Sequence, residues 1–118
     1  MHKTDKLEKL IIEGIEEKKG DKIAIINLSK FEMAGAPKLI ICQGRSTSNV
    51  SAIADSIREY VQKHNGPKPY NYDGYRNCQW IVIDYGEIMV HVFLPEQREL
   101  YNIEGLWADA PITYIEEK

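Results

Sequence analysis

Residues 80–94 read WIVIDYGEIMVHVFL, and the order of those side chains decides the fold. Up to Tyr85 apolar positions alternate in period two: Trp80, Val82 and Asp84 fall on one side, Ile81, Ile83 and Tyr85 on the other. Gly86 and Glu87 make a tight turn, and Ile88 to Leu94 return as a second strand, so the segment is a β-hairpin. On the return strand Met89, His91 and Phe93 share a face. Asp84 is the one carboxylate inside this apolar run. An unpaired buried charge is costly, so it must be exposed, paired or bound to backbone donors.

Working outward, Val50, Ile53, Ala54, Ile57 and Val61 mark the inner stripe of a helix that ends at Asn65-Gly66-Pro67. Before it, Lys22 to Leu28 and Lys38 to Gln43 are nearly continuous apolar runs, the pattern of strands covered on both faces. Leu7, Leu10, Ile11, Gly14 and Ile15 place a first helix at about Asp5 to Lys19, with Thr4 or Asp5 at its start and Gly20 at its end. The stretch from Pro67 to Asn77 is polar and turn-rich, and is expected to be a loop. Beyond the hairpin, Pro95 opens a short helix carrying Leu100 and Tyr101, and about 111–118 is expected to be a frayed tail. The middle helix is long enough to serve as a crossover, so the strands flanking it can run parallel. The expected architecture is α/β: a mixed β-sheet flanked by α-helices, in one domain spanning 1–118.

Composition removes several classes. The chain has 118 residues, a normal size for one domain, and 43% hydrophobic with 28% charged residues is ordinary for a globular protein. Fifteen Lys+Arg against eighteen Asp+Glu leave a net charge of -3, a poor balance for wrapping DNA or RNA through phosphate contacts. Apolar runs such as residues 39–42 are far shorter than the roughly 20 residues needed to span a bilayer, and no secretory signal is visible, so the cytoplasm is the expected location. Cys42 lies in an apolar run and reads as a small buried hydrophobe, not half of a disulfide with Cys78.

Each candidate for chemistry has a structural counterpart. The Gly44-Arg45-Ser46 turn before the middle helix could receive a phosphate, but glycine making the turn and a hydroxyl capping the helix is the simpler reading. His91 lacks further ligands at metal spacing, and a histidine hydrogen-bonded within the sheet or facing a partner outweighs a metal ligand. Asp84 has no acidic companion two residues away, since position 82 is Val and position 86 is Gly. No catalytic residue, metal or cofactor is therefore expected. The concentration of Trp80, Tyr85, Phe93, Tyr101 and Trp107 with Met89 and Arg98 points elsewhere, because these types are enriched at protein interfaces.

The hairpin, followed by RELYNIEGLWADA at residues 98–110 and preceded by GRSTSNVSAIAD at 44–55, closely resembles the ribosomal silencing factor family, also called the iojap family. Asp73-Gly74 stands where the family usually has Glu-Gly, and Pro37-Lys38 where it commonly has Asp and an aromatic. The resemblance implies a nucleotidyltransferase-like topology without the catalytic carboxylates. It also implies binding to the fourteenth protein of the large ribosomal subunit, steric blocking of subunit joining, repression of translation, and a link to large-subunit assembly. The residues expected to carry or support that recognition are Trp80, Asp84, Tyr85, Met89, His91, Arg98, Tyr101 and Trp107. Tyr85 is expected to join Met89 and His91 across the hairpin, Arg98 to pair with a partner carboxylate or with Asp84, and Trp107 to clamp the C-terminal segment. Two other readings compete: a metal-dependent nucleotidyl-transfer enzyme, and a homodimer using the same aromatic face.

Overall fold

The hairpin sits inside a six-stranded mixed sheet, in a computed structural model that describes residues 3–32 and 34–116. The strands are β1 (Asp21–Asn27), β2 (Lys38–Gln43), β3 (Asn71–Asp73), β4 (Trp80–Asp84), β5 (Ile88–Phe93) and β6 (Ile112–Tyr114), in the spatial order β3-β4-β5-β2-β1-β6. β2 and β5 run parallel and every other pairing is antiparallel. The parallel pair therefore lies across the middle helix, as expected, but β2's partner is the returning arm of the hairpin, with β3 and β4 set outside it.

Two long helices cover one face: α1 (Lys3–Glu17) and α2 (Thr47–Lys63). Helix α1 begins earlier than the sequence suggests, so Thr4 and Asp5 fall within its first turn. Helix α2 starts as read from the sequence, with Ser46 Oγ accepting from the Asn49 amide at 3.1 Å. The two helices approach closely at Gly14, where an added Cβ would stand 2.9 Å from Ile57 Cα. Ser56 Oγ donates to the Gly14 carbonyl at 2.7 Å in the same buried contact. Beneath the helices lie Ile23, Ile25, Ile40, Cys42, Ile81, Ile83, Ile88, Val90 and Val92, which with Leu10, Ile11, Ile15, Ile53 and Ile57 form the main core. Cys42 is fully buried and free, and burial pushes its thiol up to about 12, which leaves it inert.

The opposite face has thinner cover. Ala24, Ile26, Leu39, Ile41 and Phe93 pack there beneath Leu28, Phe31 and Ala34 of the β1–β2 connection and beneath Ile103 and Trp107. The short helix expected after Pro95 is two helices, α3 (Pro95–Tyr101) and α4 (Ile103–Leu106). Asn102 breaks them apart with a left-handed φ of 46°, and its side chain then caps α4 at the Gly105 amide.

Two expectations are corrected. The supposed loop holds β3, which pairs with β4 at the sheet's edge. The supposed tail holds β6, whose residues Ile112 to Tyr114 pair with β1 at the other edge. None of the helices among the described residues is long and apolar enough to cross a membrane.

Candidate functional site: an aromatic face of the sheet

Strand alternation sorts the candidate residues. On β4, Trp80, Val82 and Asp84 point away from α1 and α2. Their antiparallel partners on β5 are Phe93, His91 and Met89 respectively. These three cross-strand pairs make a strip down the less covered face, as expected from the shared direction of Met89 and His91. Leu39 and Ile41 of β2 continue it on one side, paired with Met89 and His91. Asn71 and Asp73 of β3 continue it on the other, paired with Asp84 and Val82.

Trp80 organises the strip. Its ring stacks on Phe93 with centroids 5.0 Å apart, and Tyr101 of α3 lies 4.6 Å from it on a tilted plane. Its indole Nε1 donates to His91 Nδ1 at 3.0 Å. His91 is 6% exposed, and burial lowers its pKa from 6.5 to about 4, so the imidazole is neutral near pH 7. A tryptophan N–H only donates, so the accepting Nδ1 carries no proton. Trp107 meets Phe31 edge-on at 5.5 Å and so ties the segment after α4 to the β1–β2 connection. Phe31 was missed in the sequence because it stands alone in a Gly- and Ser-containing connection, with no periodicity around it.

Three candidates take other places. Tyr85 points to the helix-covered face, 4% exposed in the main core, and does not join Met89 and His91. The alternation predicts this: an odd-numbered residue at the end of β4 follows Ile81 and Ile83 inward. Its amide closes the hairpin turn by donating to the Ile88 carbonyl, and Gly86 supplies the positive φ of 83° that the turn requires. Asp84 does not pair with Arg98, because its Oδ1 accepts from the Gly86 amide at 2.7 Å. Arg98 instead forms a two-pronged pair with Glu104, Nε to Oε1 at 2.9 Å and the second nitrogen to Oε2 at 3.2 Å. The same guanidinium donates to the Lys22 carbonyl at 2.6 Å, on the bulge that interrupts β1. Arg98 thereby fastens α3 and α4 to the end of β1.

With Arg98 holding them, α3 and α4 place Leu100 at 74%, Tyr101 at 52% and Leu106 at 75% exposure. These helices have no buried residue of their own, an unusual outcome for elements carrying apolar side chains. Among the described residues no group of three or more His, Cys, Asp or Glu side chains is placed to hold a metal ion.

The arrangement defines a class: small mixed-sheet α/β domains with two helices on one face and an aromatic strip on the other. The family described as "Ribosomal silencing factor during starvation" matches residues 2–118. The chain belongs to this family. It is 32% identical over 113 residues to the ribosomal silencing factor of Halalkalibacterium halodurans, an alignment covering 96% of this chain and 95% of that protein. The ribosomal silencing factor of Bacillus subtilis is 30% identical over 108 residues, covering 92% and 90%. A crystal structure of a protein from Chromobacterium violaceum superposes with a TM-score of 0.83 at 30% identity, covering 99% of this chain and 95% of that one.

Proposed function

We propose that this chain represses translation by binding the fourteenth protein of the large ribosomal subunit through its aromatic face and obstructing the arrival of the small subunit. The observation that carries the reading is the strip of Trp80, Met89 and His91, with Tyr101 against Trp80, on the face that the two long helices leave free, together with exposed Leu100, Tyr101 and Leu106 on the neighbouring short helices. Trp, Tyr and Met are the residue types that anchor protein interfaces. Asp73 and Asp84 border the strip, and the chain's net charge is -3. Ribosomal proteins are typically basic, so the charge complements such a partner and disfavours bare RNA.

In this reading Trp80, Asp84, Met89, His91, Tyr101 and Trp107 form or border the contact. Arg98 holds α3 and α4 in position, and Tyr85 supports the hairpin turn from within. Occlusion requires affinity and bulk, with no bond made or broken. The body measures 35 × 35 × 30 Å, enough to offer the roughly 800 Å² per partner of a standard interface and still project from it. The chain acts as one domain in the compartment where ribosomes work, and binding to unassembled large subunits links it to their biogenesis.

The test is sucrose-gradient sedimentation of separated subunits with and without the pure protein. Excess protein is expected to abolish the joined-ribosome peak and to co-sediment with large subunits. Undiminished joining overturns the reading, and turnover of a nucleoside triphosphate with Mg²⁺ favours the enzymatic alternative.

A further inference from the structure

We infer that His91 is a one-way hydrogen-bond donor on the docking face: Trp80 occupies its Nδ1, so the ring meets a partner with Nε2–H, and the partner must answer with an oxygen acceptor. The inference rests on the reading of the aromatic face as the docking surface, and it adds the polarity of the contact at its centre.

The argument starts from what each group is able to do. Indole Nε1–H has no acceptor capacity, so its 3.0 Å approach to His91 Nδ1 requires a lone pair on that nitrogen. A neutral imidazole with a lone pair on Nδ1 carries its proton on Nε2. Nε2 has no hydrogen-bond partner among the described residues. The fully buried unpartnered side-chain atoms among those residues belong to Asp21, Arg58, Tyr85 and Gln97. Nε2 is not one of them, so it keeps some solvent contact in a residue that is 6% exposed overall. Its cross-strand neighbours on the strip, Val82 and Ile41, are apolar and offer it no acceptor side chain.

The stacking geometry fixes the direction of that donor. His91 lies 11° from the plane of Phe93, two residues along β5, and 31° from that of Trp80, diagonally across on β4, so the imidazole is packed against two rings and does not swing freely. Rotating the ring to present Nδ1 outward would break the Trp80 bond and leave the indole N–H unpaired in a half-buried site, which is unfavourable. A partner donor at this point, such as a lysine or arginine, would meet an N–H head-on. A backbone carbonyl or a carboxylate is accepted. Trp80 is thus a positioning residue for His91 in addition to any surface it contributes itself.

The experiment has two arms. Long-range ¹H–¹⁵N correlation on the free ¹⁵N-labelled protein at pH 7 reads the tautomer directly, and is expected to show a protonated Nε2 and an unprotonated Nδ1 for His91. A protonated Nδ1 overturns the inference. In the second arm, purified large subunits are titrated with the wild type, His91→Asn and His91→Gln. Asparagine can still accept from Trp80 near the Nδ1 position but has no atom at Nε2, and is expected to weaken binding about tenfold. Glutamine carries an amide N–H out to the Nε2 position and is expected to recover part of that loss. Wild-type binding with an unchanged affinity for His91→Asn removes the donor role alone. A wild type that binds no large subunit removes the docking reading as well. Should His91→Asn fail to fold, the tautomer measured on the unaltered protein still decides.

Discussion

The two faces of the sheet are built from the same strands, and their chemistry parts at β4 and β5. Toward α1 and α2, β1, β2, β4 and β5 send Ile23, Ile25, Ile40, Ile81, Ile83, Ile88, Val90 and Val92, most of them fully buried. Toward the other side β4 and β5 send Trp80, Met89, His91 and Phe93, while β1 and β2 send Ala24, Ile26, Leu39 and Ile41, beneath two short helices with no fully buried residue of their own. Branched aliphatic chains interlock well with the ridges of a helix and have few rotamers to lose. Aromatic rings offer broad, stiff area with a polar handle, which suits a layer under thinner cover. The difference teaches that the helix-covered face supplies the larger core, while the second face combines a smaller core with exposed side chains on the short helices at its margin.

The contrast is broken most severely from the aliphatic side. Ile57 is fully buried on α2, beside the close approach at Gly14. Replacing it with alanine removes three carbons from a site where two helices already touch and have little room to collapse. The expected cost is about 3 kcal/mol, read as a lower midpoint in urea denaturation. Where the variant remains folded, its affinity for large subunits is expected to be unchanged. A matching loss of affinity would show that the two faces are not separable.

A second effect comes from the aromatic side and depends on pH. Burial holds His91 at about 4 against 6.5 for an unburied histidine. Between those values the unfolded chain takes up a proton that the folded chain refuses, so stability rises with pH across this window. It is fully present above pH 6.5, declines as pH falls toward 4, and levels off below. The largest loss is about 3 kcal/mol. Subtracting the stability–pH curve of His91→Asn from that of the wild type isolates this contribution from carboxylates titrating lower. A flat difference between pH 6.5 and 4 would mean that the imidazole is solvated and the strip is not a packed layer.

How much of this was readable follows from the same contrast. The alternation in β4 and the unbroken apolarity of β1 and β2 are direct imprints of burial, and the elements they implied are present. β3 and β6 were missed, and they are the two edges of the sheet. An edge strand is held mainly by backbone bonds to one neighbour, so its side chains need no apolar pattern. Asn71, Tyr72 and Asp73 are all exposed, and Arg58 of α2 lies over the Tyr72 ring at 3.7 Å, a contact no periodicity reveals. For the site, strand period placed Met89 with His91 and Tyr85 with inward-facing Ile81 and Ile83, and the expectation that Tyr85 joins Met89 and His91 ran against that period. The Trp80–His91 bond and the Arg98–Glu104 pair depend on rotamers and on the break at Asn102, where a left-handed residue redirects the chain. Net charge, and the residue types that interfaces favour, were visible from the start.

The mildest test separates fold from recognition most cleanly. Leu106 sits on α4 at 75% exposure, and its side chain belongs to neither core cluster. Changing Leu106→Ser therefore removes almost nothing from the folded state, and stability is expected to move by no more than about 0.5 kcal/mol. If the exposed leucines extend the aromatic strip as a docking surface, the same change removes apolar area that a partner would bury. Large-subunit affinity is then expected to fall by about fivefold, a loss that burial of a leucine side chain readily accounts for. Sedimentation titration beside a thermal melt on one sample reads both quantities. Equal affinity with equal stability would confine the recognition surface to β4 and β5 and leave α4 outside it. A stability loss larger than the affinity loss would instead mean that Leu106 packs in solution, and that the second face is better covered than its exposed side chains suggest.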